Sequence, residues 1–141
     1  MTINIPNYFK RYAWTCEQVD TQIWLSTFSS ESEDEFDLYV SLGDEWVHFA
    51  VSPFLPRPEA AQQARIYEVL LRLNQQMRLV HFAIDEDGDI NLLVELPVHS
   101  FVYAHFVAAM DALVYSAQTL ARDLGRIVRE PNFRSPLIPM A

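Results

Sequence analysis

The stretch from Tyr67 to Pro97 constrains the fold of this chain more than any other, because it joins an amphipathic helix to a β-hairpin. Its first part, Tyr67–Asn74, repeats apolar residues at helical spacing. Its second part places the turn sequence Asp85-Glu-Asp-Gly-Asp89 between two runs of strand-forming residues. A helix followed by an antiparallel hairpin predicts an α+β domain.

Burial predicts the register of this hairpin. A three-residue loop, Glu86–Gly88, would place all the large apolar residues on one face, with the pairs Ile84–Ile90, Phe82–Leu92 and Val80–Val94. A two-residue loop would divide them between the two faces. We expect the three-residue loop, since its last position favours a glycine in the left-handed conformation.

A second hairpin is predicted before the helix, with strands Phe36–Leu42 and Glu45–Val51 joined by a two-residue Gly43-Asp44 turn. This turn would put the pairs Val40–Val47 and Leu38–Phe49 on one apolar face, with Tyr39–His48 and Ser41–Trp46 on the other. We expect Pro53 to end the second strand, because prolines remove ladder donors.

The N-terminal region predicts a short helix from Pro6 to about Glu17 and a strand from Thr21 to Phe28. Alternation leaves open whether Ile23 and Leu25 or Trp24 and Phe28 face the core. The acidic run Ser29–Glu35 is typical of a solvated hairpin loop.

Two further helices are indicated by period 3.6. The first begins near Glu59, and its predicted buried face comprises Ala60, Ala64, Tyr67, Leu71 and Asn74, flanked by Ile66, Leu70, Leu73 and Met77. The second runs from a Ser100 N-cap to about Glu130, with a core stripe of Val102, Phe106, Ala109, Leu113, Ala117, Leu120, Leu124 and Ile127.

The last helix is apolar almost all round between Phe101 and Ala117. About 30 helical residues span roughly 45 Å, whereas a seven-residue strand spans only about 23 Å, so this helix must outrun the sheet or bend at Gly125. Other helices of the chain cover its second apolar side, or it forms a homodimer interface. The candidate interface residues are Phe101, His105, Ala108, Ala112 and Tyr115.

The chain has 141 residues, half of them apolar, which suits one domain with its own core. We expect a single α+β domain over residues 1–130, followed by a Pro-rich C-terminal tail, 131–141, that folds back or is mobile. The predicted order is α-β-β-β-α-β-β-α, with an antiparallel five-stranded sheet packed by helices.

Charge and cysteine content limit the partners and the compartment. Ten basic against nineteen acidic residues give a net charge of −9, which disfavours nucleic acid and anionic membranes. The single Cys16 is typical of a reducing compartment. With no signal-peptide pattern and no apolar run of about 20 residues, we expect a cytoplasmic protein.

The residues that could carry chemistry do not form a recognised catalytic or metal-binding pattern. Asp85, Asp87 and Asp89 match the opening of a calcium loop, but its required Gly and final Glu are missing, so a structural turn is favoured. His48 and His81 share a predicted sheet face without a zinc motif. Three glycines leave no phosphate-binding loop. We therefore expect neither an enzyme, nor a cofactor, nor a metal.

The sheet face away from the core is the most unusual surface that the pattern predicts. It would carry Tyr39, Trp46, His48, His81 and Leu93. Such an aromatic, semi-polar patch suits an extended peptide or a partner helix. The N-terminal helix or a second subunit could equally cover it.

At this point the sequence resembles the YbjN-like group with the type III secretion chaperone-like fold, which includes small cyanobacterial-type members of unknown function. The resemblance rests on Leu70–Asn74, on Phe82–Ile90 and on Glu95-Leu-Pro97, and it covers roughly residues 21–125. It implies an antiparallel five-stranded sheet with helices on one side, frequent dimerisation and no enzyme activity.

The function predicted from these observations is a noncatalytic protein-binding module, chaperone-like or regulatory, that acts as a homodimer. Its partner would be another protein or a peptide segment. The alternatives are a small-molecule or metal sensor that uses the outer sheet face through His48 and His81 and, third, a minor hydrolase.

Overall fold

The computed structural model describes residues 2–31, 33–136 and 138, so parts of the acidic loop and of the tail lie outside the described residues. The elements in chain order are α1 Ile5–Arg11, β1 Glu17–Asp20, β2 Ile23–Ser29, β3 Glu35–Leu42, β4 Trp46–Leu55, a 3₁₀ turn Ala60–Gln62, α2 Gln63–Gln76, β5 His81–Ile84, β6 Ile90–Pro97 and α3 Tyr103–Arg129.

The strands form one antiparallel sheet in the order β1-β2-β3-β4-β6-β5. The α+β class and the order of the predicted elements are confirmed. The predicted count of five strands is wrong, because β1 adds a sixth. Its sequence, Glu-Gln-Val-Asp, has all four side chains exposed, so it lacks the apolar alternation by which a half-buried strand is recognised.

The hairpin of β3 and β4 has a wider turn than predicted. Leu42 pairs with Val47, so four residues separate the paired positions instead of two. Tyr39 therefore lies opposite Ala50 and Ser41 opposite His48, and the predicted Tyr39–His48 and Ser41–Trp46 pairs are wrong. Each residue nevertheless keeps its predicted face, because a shift of two positions preserves the alternation of a strand.

Pro53 does not end β4, contrary to the prediction. The strand continues to Leu55, which pairs with Ile90 of β6. The register shifts between Val51 and Leu55, and such an irregularity accommodates a residue without an N–H donor.

The hairpin of β5 and β6 has the predicted register, with Ile84 opposite Ile90 and Phe82 opposite Leu92. The Asp85 N–H donates to the Asp89 carbonyl at 3.0 Å, which closes the three-residue loop. Gly88 occupies its last position at φ +84°, as this turn requires.

The N-terminal helix is shorter than predicted. Asn4 caps it by accepting the Asn7 N–H at 3.1 Å, and it ends at Arg11 instead of near Glu17. The structure resolves the phase of β2, since Trp24 and Phe28 face the core.

Helix α2 is rotated relative to the prediction. Its buried residues are Ile66, Val69, Leu70 and Leu73, whereas Leu71 is 70% exposed. Ala60 and Ala64 are exposed as well. The predicted buried face was centred too close to Leu71, because apolar residues lie on both sides of the stripe that is buried in the structure.

Helix α3 begins later than predicted, and its N-cap is Val102 instead of Ser100. The Val102 N–H donates to Nδ1 of His105 at 3.1 Å, and the Val102 side chain is exposed instead of joining the core. The rest of the predicted stripe, from Phe106 to Ile127, is buried. The helix continues through Gly125 without a break.

Phe106 joins the helical layer to the sheet. Its ring lies 5.1 Å from that of Phe9 in α1 and 5.7 Å from that of Phe49 in β4, measured between centroids. All three helices contribute side chains to the core cluster on this side of the sheet.

Candidate functional site

The outer face of the sheet is left open by the helices. Within the described residues, α1, α2 and α3 all pack on the side that carries Leu38, Phe49 and Val94. Most strand residues of the opposite phase, such as Tyr39 and His48, are half-buried or exposed, whereas Asn91 of β6 is buried at 8% exposure. The predicted alternative in which the N-terminal helix covers this face is therefore wrong, since Phe9 of α1 packs against Phe106.

Strand register arranges this face in rows. One row crosses all six strands: it begins with the exposed Glu17 at the β1 edge and continues with Leu25, Tyr39, Ala50, Leu93 and His81. The next row consists of Ile23, Ser41, His48 and Glu95. Neighbours in a row stand about 5 Å apart, so their side chains touch. The first row is a mainly apolar strip across the sheet.

The predicted patch residues lie on this one face but at different depths. Tyr39, Leu93 and His81 are half-buried in the first row, whereas His48 is exposed in the second. Trp46 is 46% exposed beside Pro97, at the end of the sheet. The structure thus extends the predicted patch with Leu25 and Ala50, which only the cross-strand register could identify.

Charge on the outer face is limited near the apolar row. Nε2 of His81 lies 3.5 Å from a carboxylate oxygen of Glu95, which lies in the adjacent row on β6. The two side chains form an ion pair only when His81 is protonated. The row therefore presents aromatic and aliphatic side chains, with the His81–Glu95 pair at its β5 end.

The two edges of the sheet differ. At the β5 edge, the Asn74 side chain of α2 accepts the Phe82 N–H at 2.7 Å and donates to the Phe82 carbonyl at 3.2 Å. These bonds occupy the backbone groups with which another strand would pair. At the other edge, β1 pairs with β2 and exposes all four of its side chains.

The predicted dimer residues do not share one surface. Phe101 is buried, and its ring contacts Tyr8 and Phe49, so it presents no surface to a second copy. His105 and Ala108 are exposed, Ala112 is half-buried, and Tyr115 is 70% exposed. Four of the five thus remain accessible along the outer side of α3.

The acidic turn is held together by its own hydrogen bonds. Oδ1 of Asp85 accepts the backbone N–H groups of Asp87 at 2.9 Å and Asp89 at 3.0 Å. The Arg57 N–H donates to Asp89 at 3.0 Å. Asp85, Asp87 and Asp89 are the one group with metal-ligand spacing in the described residues. Their bonding explains the turn without an ion.

The two histidines of the sensor hypothesis are not neighbours. His48 lies on β4 and His81 on β5, with β6 between them. They also lie in different rows, so two strand spacings and one row separate their backbones by roughly 12 Å. The arrangement does not favour a shared metal, and the sensor stays a prediction.

Two titratable groups have pKa values raised by burial. Burial, followed by the hydrogen bond to Asp111, raises the pKa of the Tyr12 hydroxyl well above its usual value. Tyr12 donates this bond to the Asp111 carboxylate at 2.5 Å and ties the end of α1 to α3. Burial also raises the pKa of the Cys16 thiol, which disfavours the reactive thiolate.

No helix in the described part of the chain is long and apolar enough to cross a bilayer.

An antiparallel sheet with three helices on one side and an open outer face defines this chain as an α+β domain of the secretion-chaperone type. Residues 35–129 match the family described as T3SS (YopN, CesT) and YbjN peptide-binding chaperone 1. Because the match covers most of the chain, the protein belongs to this family. The resemblance inferred from the sequence is confirmed.

Two solved complexes show the same fold. The ExsC–ExsE complex contains a chain with 15% identity and a TM-score of 0.58, over 84% of this chain and 88% of that one. The heterodimeric ExoU–SpcU complex from the type III secretion system of Pseudomonas aeruginosa gives 16% identity and a TM-score of 0.58, over 92% and 100%. No curated protein sequence matches this chain significantly.

Proposed function

We propose that this protein is a noncatalytic chaperone or regulator that binds an extended segment of another protein on its outer sheet face. The observation that carries the proposal is the apolar row Leu25, Tyr39, Ala50, Leu93 and His81, which no helix of the described chain covers. Membership of a peptide-binding chaperone family supports it.

The outer face suits an extended segment because of its spacing and chemistry. Neighbouring rows lie about 7 Å apart along each strand, and alternate side chains of an extended peptide have the same spacing. Leu93 and Tyr39 offer apolar contact, and Trp46 adds an aromatic ring at the sheet end. Burial of a few such side chains would stabilise a complex by about 25 cal/mol per Å² of apolar surface.

Partner binding with matched variants tests this proposal. The partner is first identified by affinity capture from the native host and then purified, and its dissociation constant is measured by calorimetry. We expect the double variant Tyr39→Ala and Leu93→Ala to weaken binding at least about tenfold, because both side chains belong to the apolar row and aromatic residues dominate binding energy at protein interfaces. Leu71→Ala, which truncates an exposed apolar side chain on the helical side, is the control.

Equal binding by the wild type and the Tyr39/Leu93 variant, both with native circular dichroism, would exclude the apolar row of the outer face as the binding surface. Weakening by Leu71→Ala alone would place the partner on the helical side instead.

We also propose that two copies associate through the outer side of α3. Tyr115 is 70% exposed there, and the small side chain of Ala108 allows close approach. Light scattering of the purified chain is expected to give twice 16.3 kDa, and a 16.3 kDa species at high concentration would exclude this dimer. We place the protein in the cytoplasm, where Cys16 would stay reduced.

A further inference from the structure

The described tail residues run back along α3 from its C-terminal end. The Phe133 ring packs against the Arg126 guanidinium, which lies 3.9 Å from the ring centroid. The Ser135 hydroxyl donates a hydrogen bond to the Asp123 carboxylate. Ile138 follows and is only 3% exposed. The tail therefore advances toward the start of α3 while its side chains remain in contact with the domain.

Arg65 of α2 places this tail over the seam between α2 and α3. One guanidinium nitrogen donates to the Ile127 carbonyl in the last turn of α3 at 3.0 Å. The other donates to the Phe133 carbonyl at 3.0 Å. Arginine suits this position because its donors lie in a fixed fork. A single side chain thus binds both helices and the tail together.

The same seam continues as an open groove of about 430 Å³. Leu73 of α2 and Met77, which follows this helix, line it on one side, and Thr119 and Leu120 of α3 line it on the other. Thr119 lies four residues before Asp123, hence about 6 Å away on the same side of the helix. The tail therefore lies on the seam next to one end of the groove, and the groove itself is open.

We propose that the α2–α3 seam, with the groove that continues it, is a second binding surface for a segment of a partner protein, and that the described tail residues occupy part of this surface in the free protein. This inference rests on the proposed peptide-binding function and adds a site to it. Phe133, Ser135 and Ile138 identify the chemistry of the partner: an aromatic residue, a hydroxyl residue two positions later and an aliphatic residue three positions after that.

Each of these three positions in the partner segment is matched by a group on the domain that would contact it. The Arg126 guanidinium attracts the face of an aromatic ring. The Asp123 carboxylate accepts from a hydroxyl. The third position takes an aliphatic side chain, since Ile138 belongs to the core cluster. The tail residues that the structure describes, 131–136 and 138, form neither helix nor strand, so the partner segment needs no secondary structure of its own.

Charge favours a neutral or basic partner segment. The chain carries a net charge of −9, whereas the tail contributes Arg134 and no acid between 131 and 138. A covalently attached tail has a high effective concentration at the groove, so it competes with any free segment. Weakening the tail should therefore strengthen binding of the partner segment.

A labelled peptide with the sequence of residues 131–138, Pro-Asn-Phe-Arg-Ser-Pro-Leu-Ile, tests the proposal on the full chain. Its binding is followed by fluorescence anisotropy in protein dilute enough to be monomeric by light scattering, because Tyr115 lines the open groove and belongs to the proposed dimer surface. We expect the double variant Phe133→Ala and Ile138→Ala to bind this peptide at least about tenfold more tightly than the wild type.

Three controls make the result specific. A peptide with alanine in place of its Phe and Ile should not bind. Phe28→Ala removes a buried aromatic ring far from the groove, beside Trp14 and Phe36, and should leave peptide binding unchanged. Ser135→Ala removes the hydroxyl that bonds to Asp123 and should give a smaller gain of about fivefold, which serves if the double variant does not fold.

Equal peptide binding by the wild type and by folded tail variants would overturn the proposal, as would an equal gain in Phe28→Ala. If the peptide does not bind while Tyr39→Ala with Leu93→Ala still weakens partner binding about tenfold, the inference about the seam fails and the outer-face function stands.

Discussion

The outer sheet face and the α2–α3 groove present side chains in different ways. On the sheet, backbone hydrogen bonds between neighbouring strands hold Tyr39, Ala50 and Leu93 in one row. On the seam beside the groove, side-chain contacts from Arg65, Arg126 and Asp123 hold the chain's own tail. Under the two proposals, a partner would find the sheet face preformed but would have to displace the tail from the seam. A preformed surface should therefore bind without the cost of this displacement.

The largest effect should separate two adjacent leucines on α2. Leu70→Ala should lower the free energy of unfolding by about 2–5 kcal/mol, because the side chain is buried against the core and leaves a cavity. Leu71→Ala should change it by less than about 0.5 kcal/mol, since this side chain is mostly exposed. Denaturant unfolding measures both.

These two variants also test whether anything covers the helical side. A destabilisation by Leu71→Ala that grows with protein concentration would mean that a second copy buries this residue. The helical side would then be less open than the outer sheet face.

A smaller effect is expected where α2 protects the β5 edge. Asn74→Ala should lower stability by about 1–3 kcal/mol, because it leaves the N–H and carbonyl of Phe82 without their side-chain partner. Gln75→Ala, an exposed neighbour on the same helix, is the matched control. Equal unfolding midpoints for the two variants would show that water replaces Asn74 at no cost.

The smallest effect concerns the tie between α1 and α3, and it depends on pH. The folded-state pKa of Tyr12 lies above its unfolded value, so its contribution is complete below about pH 10 and is lost as the pH rises further. Tyr12→Phe should therefore flatten the alkaline fall in stability relative to the wild type. Unfolding midpoints measured between neutral and strongly alkaline pH check this, and parallel profiles would contradict it.

The sheet was the more predictable side of the molecule. The β3–β4 turn is wider than the sequence indicated, yet Val40 and Tyr39 still lie on their predicted faces. A register error of two residues leaves a period of two unchanged. The outer patch could therefore be placed on one face from sequence, whereas its rows required the true register.

The helical side was less predictable because helix phase depends on tertiary contacts. Leu71 and Val69 are both apolar, and only packing against the core selects Val69 for burial. The same limit applies to Phe101, which α1 and the sheet cover. Strand β1 was not predicted, because it forms by pairing with β2 and has no apolar face of its own.

The sequence by itself determined the α+β class, the β5–β6 register and the burial of most of α3, because each follows from a local period and a suitable turn residue. Tertiary structure alone decided which face of α2 is buried, how β4 continues past Pro53 and where the tail lies. These features depend on contacts between residues distant in the chain, such as Arg65 with Phe133 and Leu55 with Ile90, which no local pattern records.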